Sequence, residues 1–419
     1  MLSRATFSGC NGVKAVKVSK SDNLNLKVAH FTEAPLGGVL AHLQELIAEQ
    51  IKDSAISQIV VFGPDINDEA LSKLAHPKLV IKSYPYVGRS IRSLIRVPFA
   101  AGALIQRFEP DVVHVHSTFA GLLVRPVAFL PKRRPIIVYC PHGWAFLRDT
   151  KANRLYAWLE AALSRLCDGV VCVSSSEREA AASAGIPVSK CVVILNGIAD
   201  EAVPSANSAS GLGRPLKILF VGRFDRQKGF DVFLEVMSVL GDLAQGFAIG
   251  DFVTDATTAL EIPENVELLG WRTRSQVEES LVSADLLLMP SRWEGLPMIA
   301  IEAMRAGLPI FSSSVGGLPE LVEDGATGRL LKSLQPRDIA NAIRATSTEE
   351  LRSFAQNAHR RFKMHYTARS MADRTKQLYL DLLGARDSYS KEAVTTSRSK
   401  AERSGSTLQR SIDGADSSP

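Results

Sequence analysis

Residues 286–312 read LLLMPSRWEGLPMIAIEAMRAGLPIFS, and this stretch predicts a strand, a helix and a second strand in succession. The apolar run from Leu286 to Met289 does not alternate with polar residues, which is typical of a parallel strand buried on both faces. Pro297 suits the first turn of a helix, and Gly307 suits the position just after its end. A second apolar run, Pro309 to Ser312, follows directly. This β-α-β unit indicates an α/β fold built on a parallel sheet.

The same alternation of strand-like and helix-like segments extends along most of the chain in two series. The first series of predicted strands comprises Lys27–Thr32, Ile59–Phe62, Asp111–His116, Ile136–Cys140, Gly169–Val173 and Val192–Leu195. The second comprises Lys217–Val221, Phe247–Ile249, Val266–Leu269, Leu286–Met289, Pro309–Ser312 and Arg329–Leu331. Residues 200–214 lie between the two series and have the Ser, Gly and Pro content of a flexible connection. We therefore predict two similar α/β halves that face one another across a cleft.

The composition narrows the class of protein. With 419 residues, of which 46% are apolar, the chain can bury two ordinary cores, and a net charge of +5 is too small to indicate a nucleic-acid partner. The five cysteines are odd in number and lack metal-ligand spacing, which favours a reducing compartment and a cytoplasmic location. No apolar run approaches the roughly 18 residues of a membrane-spanning helix. Residues 1–23 are polar and basic, and residues 385–419 are predicted to be disordered.

A first candidate binding segment runs from Phe220 to Asp231. The predicted strand ends at Val221, Gly222 permits a tight turn, and Arg223 and Lys228 follow at the carboxyl edge of the sheet. Ligands of open α/β sheets bind at that edge. A guanidinium and an ammonium group there could hold a diphosphate, Arg as a planar fork and Lys as a compact charge. The alternative interpretation is a basic loop that only contacts water.

A second candidate segment is the loop and helix start within residues 290–307. Glu294 falls in the loop before the predicted helix and Glu302 falls within it. The backbone N–H groups at the helix start have no partner inside the helix, so they can bind an anion or sugar hydroxyls; these are the N–H groups of Gly295, Leu296 and Met298. The segment therefore predicts a cradle for a nucleotide sugar. The alternative makes Glu302 an acid at the edge of the core and Glu294 an ordinary helix cap.

These two segments resemble those of the large family 4 of retaining GT-B glycosyltransferases. Glu294 and Glu302 match the two glutamates of that family, and Gly222-Arg223 with Lys228 match its phosphate-binding segment. Further matches occur in the same order, at Gly37-Gly38, Pro141-His142-Gly143, Asn196-Gly197, Ala284-Asp285 and Gly316-Gly317-Leu318-Pro319-Glu320. Where the family often has an acid two residues after Asn-Gly, this chain has Ala199, and Asp200 follows it.

The resemblance implies a fold and a set of roles. The fold is GT-B, with two Rossmann-like domains, here residues 24–199 on the acceptor side and 215–367 on the donor side. A linker over 200–214 joins them, and a helix over 368–384 crosses back to the first domain. Glu294 would contact the donor sugar, Glu302 the ribose, and Arg223 with Lys228 the diphosphate. The donor would also meet the loop of Gly295, Leu296 and Pro297, and Gly37-Gly38 would face the phosphates or the acceptor from the opposite domain.

Three histidines lie on or directly after predicted strands of the first half. His142 comes directly after the strand ending at Cys140 and so opens onto the cleft, where the resemblance implies contact with the sugar. The alternative is a structural histidine with satisfied hydrogen bonds. His114 and His116 alternate on one strand and share a face, but they lack Cys or carboxylate partners at ligand spacing. We predict that these two form hydrogen bonds rather than bind a metal.

The expected reaction breaks the bond between the sugar and the leaving diphosphate, on which negative charge grows. The sequence contains no Asp-x-Asp motif of the kind that holds a divalent metal in many other glycosyltransferases. We therefore expect a retaining, metal-independent hexosyltransferase without a cofactor, in which Arg223, Lys228 and helix starts supply the positive charge. The nucleotide diphosphate sugar is its donor substrate.

Three further expectations concern partners and alternatives. For similar chains, bacterial envelope or exopolysaccharide assembly makes a lipid-linked saccharide the leading acceptor. Residues 88–108 interleave arginines with apolar residues, which favours peripheral contact with the inner face of the plasma membrane, although a surface helix with its apolar stripe packed inward fits as well. Two other functions stay open at this point. These are a GT-B-like sugar-nucleotide epimerase, which lacks the pair of glutamates, and a noncatalytic nucleotide-sugar-binding subunit.

Overall fold

A computed structural model describes residues 25–34, 37–86, 91–131, 133–147, 152–201, 215–252, 260–386 and 388. For residues 91–93 it describes the backbone alone. The predicted extension over residues 1–23, linker residues 202–214 and most of the predicted tail over 385–419 lie outside the described residues. Residues 385, 386 and 388 of that tail are described and are helical, so the prediction of disorder was wrong for them.

The first half contains a seven-stranded sheet in which all neighbouring strands are parallel. Its strands are β1 (Leu26–Thr32), β2 (Ile56–Pro64), β3 (Leu79–Tyr84), β4 (Val112–His116), β5 (Ile136–Cys140), β6 (Gly169–Cys172) and β7 (Cys191–Val193). They are arranged in the order β3-β2-β1-β4-β5-β6-β7. The six predicted strands are present, and the edge strand β3 was not predicted. Its residues are mostly half-buried or exposed, so it lacks the continuous apolar run that identified the others.

Helices connect these strands and cover the sheet. They are α1 (Gly38–Lys52), α2 (Asp68–Ser72), α3 (Ile91–Phe108), α4 (Thr118–Phe129), α5 (Asn153–Leu163) and α6 (Ser175–Ser183). Pro98 lies inside α3 without ending the helix. The inward stripe of α3, Val97, Ala101 and Ile105, is buried, and α3 packs on α4.

The second half contains a six-stranded parallel sheet whose order is β10-β9-β8-β11-β12-β13. Its strands are β8 (Leu216–Val221), β9 (Ala244–Ile249), β10 (Val266–Gly270), β11 (Leu286–Met289), β12 (Ile310–Ser313) and β13 (Gly328–Leu331). Its helices are α7 (Phe230–Leu240), α8 (Arg274–Ser283), α9 (Met298–Ala306), α10 (Leu318–Leu321), α11 (Pro336–Ala345) and α12 (Thr348–His365). The predicted α/β fold with two parallel sheets is thus confirmed. The predicted β-α-β unit corresponds to β11, α9 and β12, with Gly307 in a left-handed conformation at the end of α9.

The last described element is a helix over residues 368–386, two residues longer than the helix we predicted. It packs on the first half, where Tyr379 contacts His114 and the ammonium group of Lys376 lies 2.6 Å from a carboxylate oxygen of Asp53. One apolar cluster runs without interruption from α1 and β5 of the first half to α9 of the second. The two halves therefore pack against one another through a shared apolar cluster.

In each sheet the strand order reverses between two neighbouring strands, β1 and β4 in the first half and β8 and β11 in the second. The connections that leave such a pair run to opposite sides, which opens a crevice at the carboxyl ends of the strands. The loops after β8 and β11 carry the two candidate segments, so the topology places both segments at one crevice.

Candidate active site

The loops that follow β8 and β11 are held together by backbone contacts. The Arg292 N–H donates to the carbonyl oxygen of Gln227 at 2.8 Å. Gly229 has a φ of 70°, and a Cβ there would overlap the carbonyl oxygen of Pro290. This position therefore requires glycine, both for its left-handed backbone and for the close approach of the two loops.

An ion pair joins the two loops at their centre. The Lys228 ammonium donates to Oε1 of Glu294 at 2.6 Å, and the Ser291 hydroxyl donates to the same oxygen at 2.8 Å. The side chains of Lys228 and Glu294 are 19% and 6% exposed, so both charges are largely shielded from water. The structure thus brings one predicted cation into direct contact with the predicted sugar-binding acid.

Arg223 lies on the same loop as Lys228 but faces other partners. Its guanidinium lies 3.0 Å from Oδ2 of Asp225 and donates to Oε1 of Gln227 at 2.6 Å. The side chain is 44% exposed. Gly222, with a φ of 152°, packs against the aliphatic stem of Lys228. The two predicted cations therefore stand on one loop, with Lys228 the more buried of them.

The start of α9 provides free donors next to this ion pair. Pro297 precedes the first residue of α9, and its backbone is extended. Within the described residues, no hydrogen bond uses the N–H groups of Gly295, Leu296 or Met298. These groups and the positive end of the helix can bind an anion or hydroxyl oxygens.

The first half contributes the start of α1 to the same crevice. Gly37 has a φ of 92° and precedes α1, whose first residue is Gly38. A Cβ on Gly38 would lie 3.9 Å from Cγ of Met298, so the starts of α1 and α9 face one another. Of the loop before Gly37, residues 35 and 36 lie outside the described part.

Glu302 lies on α9, one to two turns beyond Glu294, and is half-buried. Burial raises the pKa of its carboxyl above the ordinary value, while the nearby positive charges of Arg274 and Arg305 act in the opposite direction. In the part of the chain that the structure describes, the Glu302 carboxylate makes no hydrogen bond. It is therefore not brought into contact with the Lys228–Glu294 pair.

His142 lies across the crevice from the donor-side loop. Its φ is 53°, an uncommon conformation for a residue other than glycine, and its Nε2 lies 3.1 Å from Nδ1 of His116. Burial holds its pKa well below the ordinary histidine value, so the ring is neutral at pH 7. The backbone nitrogen of Gly143 lies 3.6 Å from the point that a Cβ of Gly295 would occupy. His142 and the loop before α9 are thus neighbours.

Glu177 is a site residue that the sequence analysis missed. Its Oε2 accepts from the Val173 N–H at 2.9 Å, and its Oε1 lies 3.2 Å from the point that a Cβ of Gly295 would occupy. Burial raises the pKa of this carboxyl to about 7. Helix α6 begins at Ser175, and the hydroxyl of Ser174, the residue before it, accepts from the Glu177 N–H at 3.1 Å. The Ser-x-x-Glu pattern at residues 174–177, just after β6, could have identified Glu177 from the sequence.

Asn196 links the two halves at the end of the first. Its Nδ2 donates to the carbonyl oxygen of Leu296 at 2.8 Å, and its Oδ1 lies 2.9 Å from Nδ1 of His42 on α1. The side chain is 4% exposed. A single buried amide therefore connects α1 to the loop before α9.

Both halves of the chain match models of known protein families. Residues 207–363 match the model of the family described as glycosyl transferases group 1, and residues 36–202 match that of glycosyltransferase family 4. An uncharacterised 41.2 kDa protein from the cps region of Klebsiella pneumoniae is 31% identical over 81% of this chain and 97% of its own. The UDP-Gal:alpha-D-GlcNAc-diphosphoundecaprenol alpha-1,3-galactosyltransferase of Escherichia coli is 26% identical over 87% of this chain and 99% of its own.

Solved structures match over nearly their whole length. HepE of Anabaena in complex with UDP-glucose superposes with a TM-score of 0.70 at 18% identity, over 86% of this chain and 100% of that one. The sucrose-phosphate synthase of Thermosynechococcus elongatus gives a TM-score of 0.73 at 19% identity, over the same shares of 86% and 100%. At this identity the match concerns the fold, and it confirms the predicted GT-B architecture.

Proposed function

The chain belongs to the group 1 glycosyltransferases, and from this premise we propose that it transfers a sugar, with retention of configuration, from a nucleotide diphosphate sugar to a lipid-linked saccharide. The observation that carries the proposal is the Lys228–Glu294 contact at the start of α9, where a cation, an acid and unpaired N–H groups converge. The cation and the N–H groups can bind a diphosphate, and the acid can accept hydrogen bonds from sugar hydroxyls.

In the proposed reaction, the bond from the sugar's anomeric carbon to the diphosphate oxygen breaks, and a bond from the acceptor hydroxyl oxygen to that carbon forms. The acceptor approaches on the face that the leaving group departs from, and its proton passes to the leaving phosphate oxygen. Lys228 and Arg223 stabilise the growing negative charge on the diphosphate. Glu294 orients the sugar, Glu302 binds the ribose, and the neutral His142 contacts the sugar from the opposite half. Contact between the two halves around a bound donor would exclude water and so limit donor hydrolysis.

The acceptor part of the proposal rests on relatives. The Escherichia coli relative is named for a diphosphoundecaprenol-linked acceptor, and further relatives are named for amylovoran biosynthesis in Erwinia amylovora and, as a putative enzyme, colanic acid biosynthesis in Salmonella typhimurium. These names support a role in polysaccharide assembly and a saccharide on a lipid diphosphate as acceptor.

Incubation of the purified protein with UDP-, GDP- and ADP-sugars plus bacterial membrane extract, followed by mass spectrometry, tests the function. We expect one donor to be consumed and a lipid-linked product to gain the mass of one sugar. Conversion of a donor to its epimer without any acceptor would instead identify an epimerase. Tight donor binding without turnover on any acceptor would indicate a noncatalytic subunit. The anomeric configuration of the product, read by nuclear magnetic resonance, tests retention.

Turnover is expected to survive EDTA, because the proposed site supplies positive charge from side chains. Arg223→Ala should lower both kcat and donor affinity. The combined loss of transition-state stabilisation, measured from kcat/KM, should be roughly 2 to 4 kcal/mol, the range typical of losing one such electrostatic contact. Arg223→Lys should retain part of the activity, since an ammonium lacks the two-pronged geometry of a guanidinium. Loss of activity in EDTA with recovery in Mg²⁺ would place a metal at the diphosphate and contradict the proposal.

Glu302→Ala should weaken binding of the free nucleotide while changing kcat little. A ribose contact is shared by the ground state and the transition state, so its loss affects affinity more than the chemical step. Isothermal titration with the nucleotide of the active donor measures this. Glu349→Ala, a glutamate whose side chain is 87% exposed on α12, serves as the matched control. Equal nucleotide affinity in Glu302→Ala and wild type would remove Glu302 from the ribose site.

We also propose that α3 binds the membrane surface that carries the acceptor. Of the predicted segment 88–108, residues 88–90 lie outside the described residues, and residues 91–93 are described by their backbone alone. The outward face of α3 carries Leu94, Ile95 and Phe99, which are 42%, 56% and 77% exposed, beside the exposed Arg96 and Arg107. Leu130, at the end of the neighbouring α4, is 78% exposed. No described helix is long and apolar enough to cross a bilayer.

Flotation with liposomes should recover the protein with anionic vesicles at low salt, and Ile95→Ser with Phe99→Ser should abolish this recovery. Apolar side chains inserted at the headgroup boundary add to the attraction of arginines for anionic lipid. Leu155→Ser with Trp158→Ser on α5, where the side chains are 56% and 65% exposed, is the matched control. Wild-type protein that stays at the bottom of the gradient would reject membrane binding through α3.

A further inference from the structure

Three fully buried histidines meet on one face of the first sheet. His114 and His116 alternate on β4, and His30 lies opposite His114 on the neighbouring strand β1. Their side chains are between 0% and 1% exposed. One ring nitrogen from each lies within 4.8 Å of those of the other two. Only the pair on β4 is recognisable in the sequence, because the third member comes from a strand more than eighty residues earlier.

Each of the three rings forms a hydrogen bond, through one of its nitrogens, to a residue outside the group. Nε2 of His30 lies 2.8 Å from Oε1 of Gln50, and Nδ1 of His114 lies 2.7 Å from the Tyr379 hydroxyl. Nδ1 of His116 lies 3.1 Å from Nε2 of His142. All three outer partners can accept a hydrogen bond. One set of tautomers therefore lets every ring donate outward and leaves a lone pair on each inner nitrogen.

The inner nitrogens have too few protein partners. Nδ1 of His30 and Nε2 of His116 lie 3.0 Å apart, so only a proton shared between them or a cation can relieve the repulsion of two lone pairs. Nε2 of His114 is buried and has no hydrogen-bond partner among the described residues. A buried polar atom without a partner is uncommon and calls for a ligand.

We propose that His30, His114 and His116 bind a transition-metal ion of the zinc class through His30 Nδ1, His114 Nε2 and His116 Nε2. Neutral imidazole is the ligand such ions prefer, and a metal-bound histidine commonly donates its other N–H to an outer acceptor, as all three rings can do here. Three histidines with a fourth, non-histidine ligand are an established donor set for zinc.

The ring positions fit this assignment. The ring centroid of His30 lies 5.5 Å from that of His114 and 5.3 Å from that of His116, and His114 and His116 are 4.2 Å apart. The two distances from the His30 ring suit rings that bind one ion. The shorter distance between the His114 and His116 rings requires a small rotation of one of these two side chains about χ1. A water molecule or a hydroxide ion can take the fourth position, as it does in zinc sites with three histidine ligands.

The proposed ion would act on the donor site indirectly. His116 connects the group to His142, so an ion on His116 would fix the orientation of both rings and make His116 a positioning residue. Because its ligands are buried, the ion would withstand a brief EDTA treatment that strips an exchangeable ion from the open crevice. This inference does not depend on the proposed function, since metal content is measured without substrate.

The test uses full-length protein without a histidine tag, produced in zinc-supplemented medium and dialysed against metal-free buffer. Mass spectrometry of the metal content should give roughly one zinc ion per chain, the stoichiometry of a single closed site. After removal of zinc with a strong chelator, added Co²⁺ should produce the visible absorption of tetrahedral Co²⁺, and added Zn²⁺ should raise Tm.

His30→Gln and His114→Gln should lose the zinc and the cobalt spectrum, whereas His76→Gln and His365→Gln, both at exposed positions, should keep them. Circular dichroism verifies that each variant is folded. Wild-type protein that retains no transition metal, and whose Tm does not respond to Zn²⁺ or Co²⁺, would overturn the proposal even if the His30 and His114 variants do not fold. Equal loss of metal in the surface variants would overturn it as well.

Discussion

Replacement of Glu294 by alanine is expected to abolish sugar transfer while leaving the binding of free nucleotide diphosphate unchanged or stronger. The loss in kcat should reach at least the roughly 10²- to 10³-fold range of a removed transition-state contact. The gain in binding follows from the ion pair, because Glu294 neutralises the Lys228 ammonium at 2.6 Å. Without that carboxylate, the full charge of Lys228 is available to the diphosphate.

Lys228→Ala should change nucleotide binding in the opposite direction. It leaves Glu294, whose side chain is 6% exposed, without its cation and next to an anionic ligand. An uncompensated buried charge is strongly unfavourable, so both nucleotide affinity and kcat should fall. Lys332→Ala, at an exposed lysine beyond β13, is the matched control.

Titration calorimetry with the nucleotide diphosphate, together with single-turnover donor kinetics, separates the two effects. Glu294→Gln adds a useful comparison, because the amide can still accept from the Ser291 hydroxyl but carries no charge. Wild-type transfer by Glu294→Ala would remove the residue from the donor site. A Glu294→Ala protein that loses nucleotide binding as severely as Lys228→Ala would mean that the ion pair serves to hold the loop rather than to balance charge.

The architecture and the donor-side loops could be predicted from the sequence because both depend on local sequence patterns. Buried parallel strands are continuous apolar runs, and the loops at their carboxyl ends follow directly in sequence, so Lys228 and Glu294 could each be assigned to an edge. The contact between Lys228 and Glu294 could not be predicted in this way, because it depends on β8 and β11 being neighbours in the sheet. The half-exposed strand β3 gave a weaker pattern and was missed.

The first half was less predictable because its site residues meet through tertiary contacts. His30, His42 and His142 come from β1, α1 and the loop after β5, and no spacing in the sequence brings them together. Pro98 lies inside α3, yet the helix continues because its buried stripe packs on α4. Glu177 was overlooked because it reaches the site through its approach to Gly295, a contact between the two halves that no local pattern shows.

The folded protein is expected to lose stability as pH rises from about 5 to about 8 through the ionisation of Glu177. Burial raises its carboxyl pKa from 4.5 to about 7. A raised folded-state pKa means that the folded state binds the proton more tightly than the unfolded state. The stabilisation is therefore complete below the unfolded-state pKa and is lost as pH rises through the folded-state value. For a shift of this size, the free energy of unfolding falls by about 2.5 kcal/mol between pH 5 and pH 8.

The buried histidines produce the opposite trend over an overlapping range. Burial lowers the pKa of His42, which is not one of the proposed metal ligands, to about 4, so the stability it contributes is lost as pH falls below the ordinary value of 6.5. A pH profile of the wild type alone mixes the two trends. The difference between wild type and Glu177→Gln isolates the carboxyl, because the histidines are common to both proteins and their contribution cancels.

Urea unfolding at pH 5 and pH 8 measures this difference, and Trp144 emission reports it locally because the Trp144 indole N–H donates to the Glu177 carbonyl oxygen at 2.9 Å. Glu177→Gln keeps an oxygen acceptor for the Val173 N–H but cannot ionise. Its stability relative to wild type should rise by about 2.5 kcal/mol between the two pH values. Glu179→Gln, at an exposed position on the same helix, should show no such change. If Glu177→Gln and Glu179→Gln respond to pH alike, the Glu177 carboxyl is ionised in the folded protein throughout this range, and water or a backbone donor reaches its second oxygen.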